Sequence, residues 1–186
     1  MKLKLISPIP PSINSYLNFK VARQSGKTFV QAYPSTQTTI YTDFFVNYVR
    51  DEIYKQGWEK PPKGQLINIH LIFYLDRKRK DPSNFLKVML DCLVKAGVFV
   101  DDDVALTIID RLYIDKANPR ISITLEPSKA VGIFDSAEQF SAFKEKNCDQ
   151  CKRKQSSCSV LKAILDNRIV DDVPNISSCL KIKPKS

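Results

Sequence analysis

Between Leu66 and Leu75 the chain places Ile67, Ile69, Leu71, Phe73 and Leu75 at every second position. Side chains at period two share one face of a strand, so this run demands a sheet with an apolar face against a core. Immediately afterwards the period changes. From about Ser83 to Ala96 the apolar residues fall at helical spacing, Asp81 or Ser83 can cap the first turn, and Gly97 can end the last. Two more strands are predicted over Val104 to Ile114 and Arg120 to Leu125, joined by a turn at Asn118–Pro119. Upstream, residues 2–6 read as a short strand that Pro8, Pro10 and Pro11 end. Thr38 to Gln56 reads as an amphipathic helix carrying Ile40, Phe44, Tyr48, Val49 and Ile53. Asn18 to Gln37 has no helical period and reads as a mobile basic loop. Strands dominate, and two in succession follow the central helix. The expected fold is α+β, a mixed or antiparallel sheet with packed helices.

A chain of 186 residues, 43% of them hydrophobic, suffices for one domain and a small appendage. The boundary falls in Glu126 to Asp135, giving expected domains over 1–127 and 136–186. Beyond it, Ser136 and Gln139 form a capping box for a helix to about Lys146. The net charge of +9 favours a polyanionic partner, because each neutralised phosphate releases counterions. No run of 18 apolar residues exists, so no transmembrane helix is predicted. The opening MKLKLISPIPPS is too short in apolar residues, and too broken by proline, for a signal peptide. Five cysteines without an export signal read as reduced thiols or metal ligands, not as disulfides, and the expected location is cytoplasmic.

The stretch Lys80 to Asp103 carries the chemistry. At about 100° per residue, Asn84, Lys87, Asp91 and Lys95 fall within one narrow arc of the predicted helix, with Phe85, Met89, Cys92, Leu93 and Ala96 opposite. Asp81 lies at the strand end, and Asp101 to Asp103 lie just past the helix. The two ends are expected to meet through the sheet and not along the helix. Crowded carboxylates repel unless a cation bridges them, and Mg²⁺ takes oxygen ligands of this kind together with substrate phosphates. Four positive residues, Arg77, Lys78, Arg79 and Lys80, run straight into Asp81. Lys20, Arg23 and Lys27 on the early loop, with Asn14 and Asn84, extend the surface offered to DNA phosphates. A basic protein with an acidic, metal-ready pocket points to an enzyme that cuts phosphodiester backbones. The plain alternative makes Asp81 an N-cap, Asp101 to Asp103 a solvated turn, and Lys87–Asp91 a surface ion pair. His70 and Cys92 read as structural.

These residues resemble the RusA-type Holliday junction resolvases of phages and prophages. The resemblance covers about residues 3–126. It starts with Pro10–Pro11–Ser12 and Asn14, similar to that family's N-terminal PPSxN element. It continues through Asp81, Asn84, Lys87, Asp91, Leu93, Gly97 and the pair Asp101–Asp102. It implies an α+β homodimer that cuts branched double-stranded DNA with Mg²⁺ or Mn²⁺ in a bacterial or phage-infected cytoplasm. Carried over by position, Asp81 and Asp102 are metal ligands, Lys87 is the catalytic lysine, and Asp101 and Asp91 support them. One position departs: the family's D-x-D-N reads Asp81-Pro82-Ser83-Asn84 here, so a hydroxyl replaces a carboxylate. Weakened metal binding, or a junction-binding protein without cleavage, follows as the rival expectation.

The tail lies outside the resemblance. Cys148, Cys151, Cys158 and Cys179 are spaced C-x2-C-x6-C-x20-C, which suits a tetrahedral structural Zn²⁺, with a helix near Val160 to Asp166 inside the last gap. Free thiols and an iron–sulfur cluster are the alternatives. The tail is poor in apolar residues, so a metal staple would account for its order. A zinc-stabilised adaptor is a third functional reading.

Overall fold

A computed structural model of the chain describes residues 1–62 and 64–184. It divides into two compact units, Met1–Pro127 and Ser128–Ser186.

The first unit is built on the alternating run. β4 (Ile67–Leu75) buries every second residue, from Ile67 through Ile69, Leu71 and Phe73 to Leu75. It is central in a four-stranded sheet whose order is β1 (Leu3–Pro8), β6 (Arg120–Pro127), β4, β5 (Ala105–Ile114). β4 pairs antiparallel with β6 and parallel with β5, and β1 pairs antiparallel with β6, so the sheet is mixed. The parallel step needs a crossover, and α2 (Leu86–Ala96) supplies it. α1 (Thr36–Gln56) and α2 pack on each other over the apolar face formed by Leu3, Leu5, Ile69, Phe73, Ile121 and Ile123. Each such side chain taken fully out of water contributes about 1.5–3 kcal/mol. Two polar groups inside are paired: the Tyr41 hydroxyl meets Ser7 Oγ at 2.7 Å, and Trp58 Nε1 donates to the Val98 carbonyl at 3.0 Å. The α+β expectation holds for this unit.

Two local expectations change. The segment read as a mobile loop is a β-hairpin, β2 (Leu17–Gln24) and β3 (Lys27–Pro34). Ser25 and Gly26 both take positive φ, 51° and 77°, as the two-residue turn of a twisted hairpin requires. Its register places Phe19, Val21, Val30 and Ala32 on one face and Asn18, Lys20, Gln31 and Tyr33 on the other. The helix expected from Ser83 instead opens as a 3-10 turn over Pro82–Phe85 before α2 begins. Asp81 caps that turn, accepting from the Ser83 amide at 2.9 Å. Gly97, at φ 89°, ends α2 in the left-handed conformation expected of it.

The second unit holds α3 (Ala137–Phe143), which runs on as a π-helical turn over Lys144–Cys148, and α4 (Ser159–Leu165). Ser136 caps α3, accepting from the Gln139 amide, while Gln139 Oε1 accepts from the Asp135 amide at 2.7 Å. The core is small: Phe134, Phe143, Val160, Leu161, Ile164 and Val173. Gly132, at φ 56°, lies against the backbone of Ile164 and Leu165 so closely that a Cβ would collide with the Ile164 carbonyl.

Candidate active site

The site grows from the two ends of α2. Lys87, in its first turn, reaches one turn along the helix to Asp91, with Nζ 2.7 Å from Oδ1. The same ammonium lies 3.4 Å from Oδ2 of Asp102, in the turn that follows the helix. Gly97 makes this possible by reversing the chain, so that the aspartate run folds back towards α2. Asp102, from the run beyond the helix, therefore meets Lys87 on α2 itself. One cation between two carboxylates lowers their mutual repulsion. In return Asp91 foremost, and then Asp102, push the Lys87 ammonium above its ordinary pKa.

Asp81 is placed differently. Its Oδ1 accepts both the Ser83 amide at 2.9 Å and the Ser83 hydroxyl at 2.8 Å. Those bonds hold its carboxyl below the usual range. Asp81 lines an open cavity of about 460 Å³ with Arg77, Arg79, Lys80, Asn84 and the Pro10–Pro11–Ser12 stretch. The Ile13 amide donates to the Asn84 carbonyl at 2.8 Å, tying the N-terminal element to the start of the helix. Asp91, Asp101 and Asp102 do not line this cavity. Asp101 caps the short turn Asp102–Val104, accepting from the Asp102 amide at 2.8 Å.

Among the described residues no group of three or more His, Cys, Asp and Glu side chains is arranged to hold a metal ion. The four aspartates named from sequence are thus not drawn into one ligand set. Without a cation their repulsion opposes it, and each has taken a local partner instead. The donor chemistry still fits Mg²⁺, which needs only one or two protein carboxylates when phosphates and waters complete its shell.

The basic surface is partly as expected. Arg77, Lys78 and Arg79 are exposed. Lys80 is not a free cation, because it pairs with Asp76 at 2.7 Å and holds that carboxyl low. Asp76 escaped the sequence reading; its i, i+4 spacing to Lys80 was the available signal. Arg79 takes φ 64°, a conformation uncommon outside glycine and asparagine, at the edge of the cavity. Asn14, Lys20, Arg23 and Lys27 are exposed. The hairpin register separates them: Lys20 and Lys27 share one face and Arg23 lies on the other. His70 pairs with Asp110 at 3.1 Å across β4 and β5, where a bulge interrupts the register. Cys92 is buried in the core, as expected.

In the tail the expected zinc centre is not formed, although Cys148, Cys151, Cys158 and Cys179 line one cavity of about 20 Å³. None of the four is in a disulfide. Burial pushes the Cys148 thiol up, reinforced by the neighbouring thiols, while the Lys183 and Arg153 amides hold the Cys151 thiol down.

A mixed α+β scaffold, a lysine between two aspartates, and a third aspartate in a basic cavity together define a candidate phosphodiester-processing protein. The family is more specific. The model of the endodeoxyribonuclease RusA family matches residues 8–126, and the chain belongs to that family. Membership implies an endonuclease that resolves Holliday junctions, with branched DNA as substrate. A comparison with curated proteins found no match. Residues beyond 126 fall outside the family match. Among the described residues no helix is long and apolar enough to cross a membrane.

Proposed function

We propose that this chain cuts branched DNA, Holliday junctions above all, as a divalent-metal-dependent homodimer. The observation that carries this reading is the Lys87 ammonium between Asp91 and Asp102, within the residues that match the RusA family. Asp81 and Asp102 would hold Mg²⁺ or Mn²⁺, with Asp101 and Asp91 in support. The ion, when bound, would polarise the scissile phosphate and acidify a water.

The chain's own residues do the rest. Arg77, Lys78 and Arg79 hold backbone phosphates beside Asp81, and the exposed hairpin lysines extend that contact. Lys87 carries a positive charge to where negative charge develops on the phosphoryl group, and it stays charged throughout the neutral range. Ser83 fixes the Asp81 carboxylate by two hydrogen bonds to one oxygen.

The dimer reading is supported by β5. This strand is the sheet edge, and Leu106, Ile108, Ile109, Leu112 and Ile114 are each 40–51% exposed. Ile109, Leu112 and Ile114 share the register of Ile69 to Leu75 on the helix-covered face, yet they are left bare. An unpaired edge that is apolar on both faces suits a second copy of the chain, and two symmetric nicks need two sites.

One observation favours a weaker enzyme. The Ser83 hydroxyl occupies Asp81 Oδ1 and brings no charge to a metal. Asp102→Asn tests the main reading. Metal-dependent cutting of a four-way junction disappears while junction binding persists; cutting at the wild-type rate would refute the site.

A further inference from the structure

The tail brings together chemistry that the nuclease reading does not use. Its four cysteines come from three separate stretches: the π turn and the knuckle after it, the start of α4, and the last segment. They nevertheless converge on a single small cavity, with Asn147, Arg153 and Lys181 also in its wall and no carboxylate. That cavity has room for about one atom-sized occupant.

The backbone around it is already organised. The Cys151 amide donates to the Cys148 carbonyl at 3.1 Å, closing the turn between the first pair. The Lys183 amide donates to Cys151 Sγ at 3.3 Å, and the Lys152 amide donates to the Lys183 carbonyl at 2.7 Å. These bonds fasten the knuckle to the last segment of the chain. Asn147 fastens it a second time. Its side chain is buried; Oδ1 accepts from the Cys179 amide at 2.9 Å, and Nδ2 donates to the carbonyls of Phe143 and Ser177. So the two cysteines furthest apart in sequence, Cys148 and Cys179, are pinned by one asparagine. Cys148, Cys158 and Cys179 also pack against the small apolar core, whereas Cys151 is held only through the backbone bonds of the knuckle.

We infer that Cys148, Cys151, Cys158 and Cys179 close around one Zn²⁺ as an all-thiolate tetrahedral site that locks the tail. Among the described residues no three of these sulfurs stand as a ligand set. Neutral thiols have no cause to crowd, and closure requires side-chain rotation on a scaffold that is already pinned. Binding releases four thiol protons for one ion and leaves a centre of net charge −2. Arg153 and Lys181 in the wall offset that charge. Sulfur donors without carboxylate select a soft ion over Mg²⁺ or Ca²⁺.

The test uses the full chain, purified under reducing conditions. Metal analysis should find one zinc per chain. Cys92→Ser should keep it, and Cys151→Ser and Cys179→Ser should lose most of it. Because those variants can fail by misfolding, the wild-type chain is also stripped of metal and titrated with Co²⁺. A thiolate charge-transfer band that saturates at one equivalent and is bleached by Zn²⁺ supports the site. Zinc far below one per chain after reconstitution, with all tail thiols still open to titration, overturns it. So does a brown protein containing iron and sulfide, or a disulfide that persists under reduction.

Discussion

Replacing Lys87 with Met removes one charge and little volume. In the folded chain the ammonium bridges Asp91 at 2.7 Å and Asp102 at 3.4 Å, but it is about half exposed, as are its partners in lesser degree. An i, i+4 pair in that setting is worth about 0.3–0.5 kcal/mol. With the longer contact and solvent screening included, the loss of stability stays under about 1 kcal/mol. That is a fall of roughly 2–5 °C in Tm for a unit of this size. The effect on cutting is of another order. A preorganised charge aimed at a developing oxyanion is worth about 10²–10³ in rate. Lys87→Met should therefore bind a four-way junction, melt within a few degrees of the parent, and cut at least about 100-fold more slowly in single-turnover assays. Lys87→Arg should recover part of the rate. Cutting within threefold of wild type would refute the assignment. Loss of cooperative unfolding would show that the lysine is chiefly structural.

Three other outcomes are expected. Ser83→Asp places a second carboxylate against Asp81 Oδ1, so the variant should melt lower than wild type without metal. Added Mn²⁺ should restore it, with half-maximal effect at about tenfold lower concentration than in wild type; an unchanged metal dependence, followed by thermal shift, would place Ser83 outside the site. Asp115 is held below its ordinary 3.8 chiefly by a 2.6 Å ion pair with Arg120. Its folded pKa is depressed, so its contribution is complete above 3.8 and fades as pH falls through the folded value. The stability gap between wild type and Asp115→Asn in urea titrations should therefore narrow below pH 3.8; a gap that widens there contradicts the sign. Ile109→Lys, on the bare edge strand, should weaken self-association by at least about 30-fold, the cost of placing a charge in an apolar contact, read by sedimentation.

The sheet was legible because its signals are periodic. The alternation over β4 and the change to helical spacing after Ser83 are local, and they appear in the structure with boundary shifts of a few residues. The β2–β3 hairpin was missed for a physical reason. Neither face packs on the core: Phe19, Val21 and Val30 on one side and Lys20 and Lys27 on the other are all exposed, and the signals were the Leu17–Phe19–Val21 alternation and the Ser25–Gly26 turn. At the site, the helix arc correctly put Lys87 beside Asp91. Asp102 joining that same lysine depends on how the chain reverses after Gly97, which spacing does not encode. Asp81 was read both as a cap and as a ligand, and its hydrogen bonds show the cap. The shared cysteine cavity was foreshadowed by C-x2-C, but the Asn147 clamp that pins it has no sequence signature.

The most direct measurement is cleavage of an end-labelled four-way junction by the purified chain, with Mg²⁺, with Mn²⁺ and with chelator. Paired nicks at symmetric positions in opposing strands, present with metal and absent with chelator, are the predicted result. Tight junction binding with intact strands under every metal condition would contradict it, and would leave a RusA fold that holds branched DNA without cutting it.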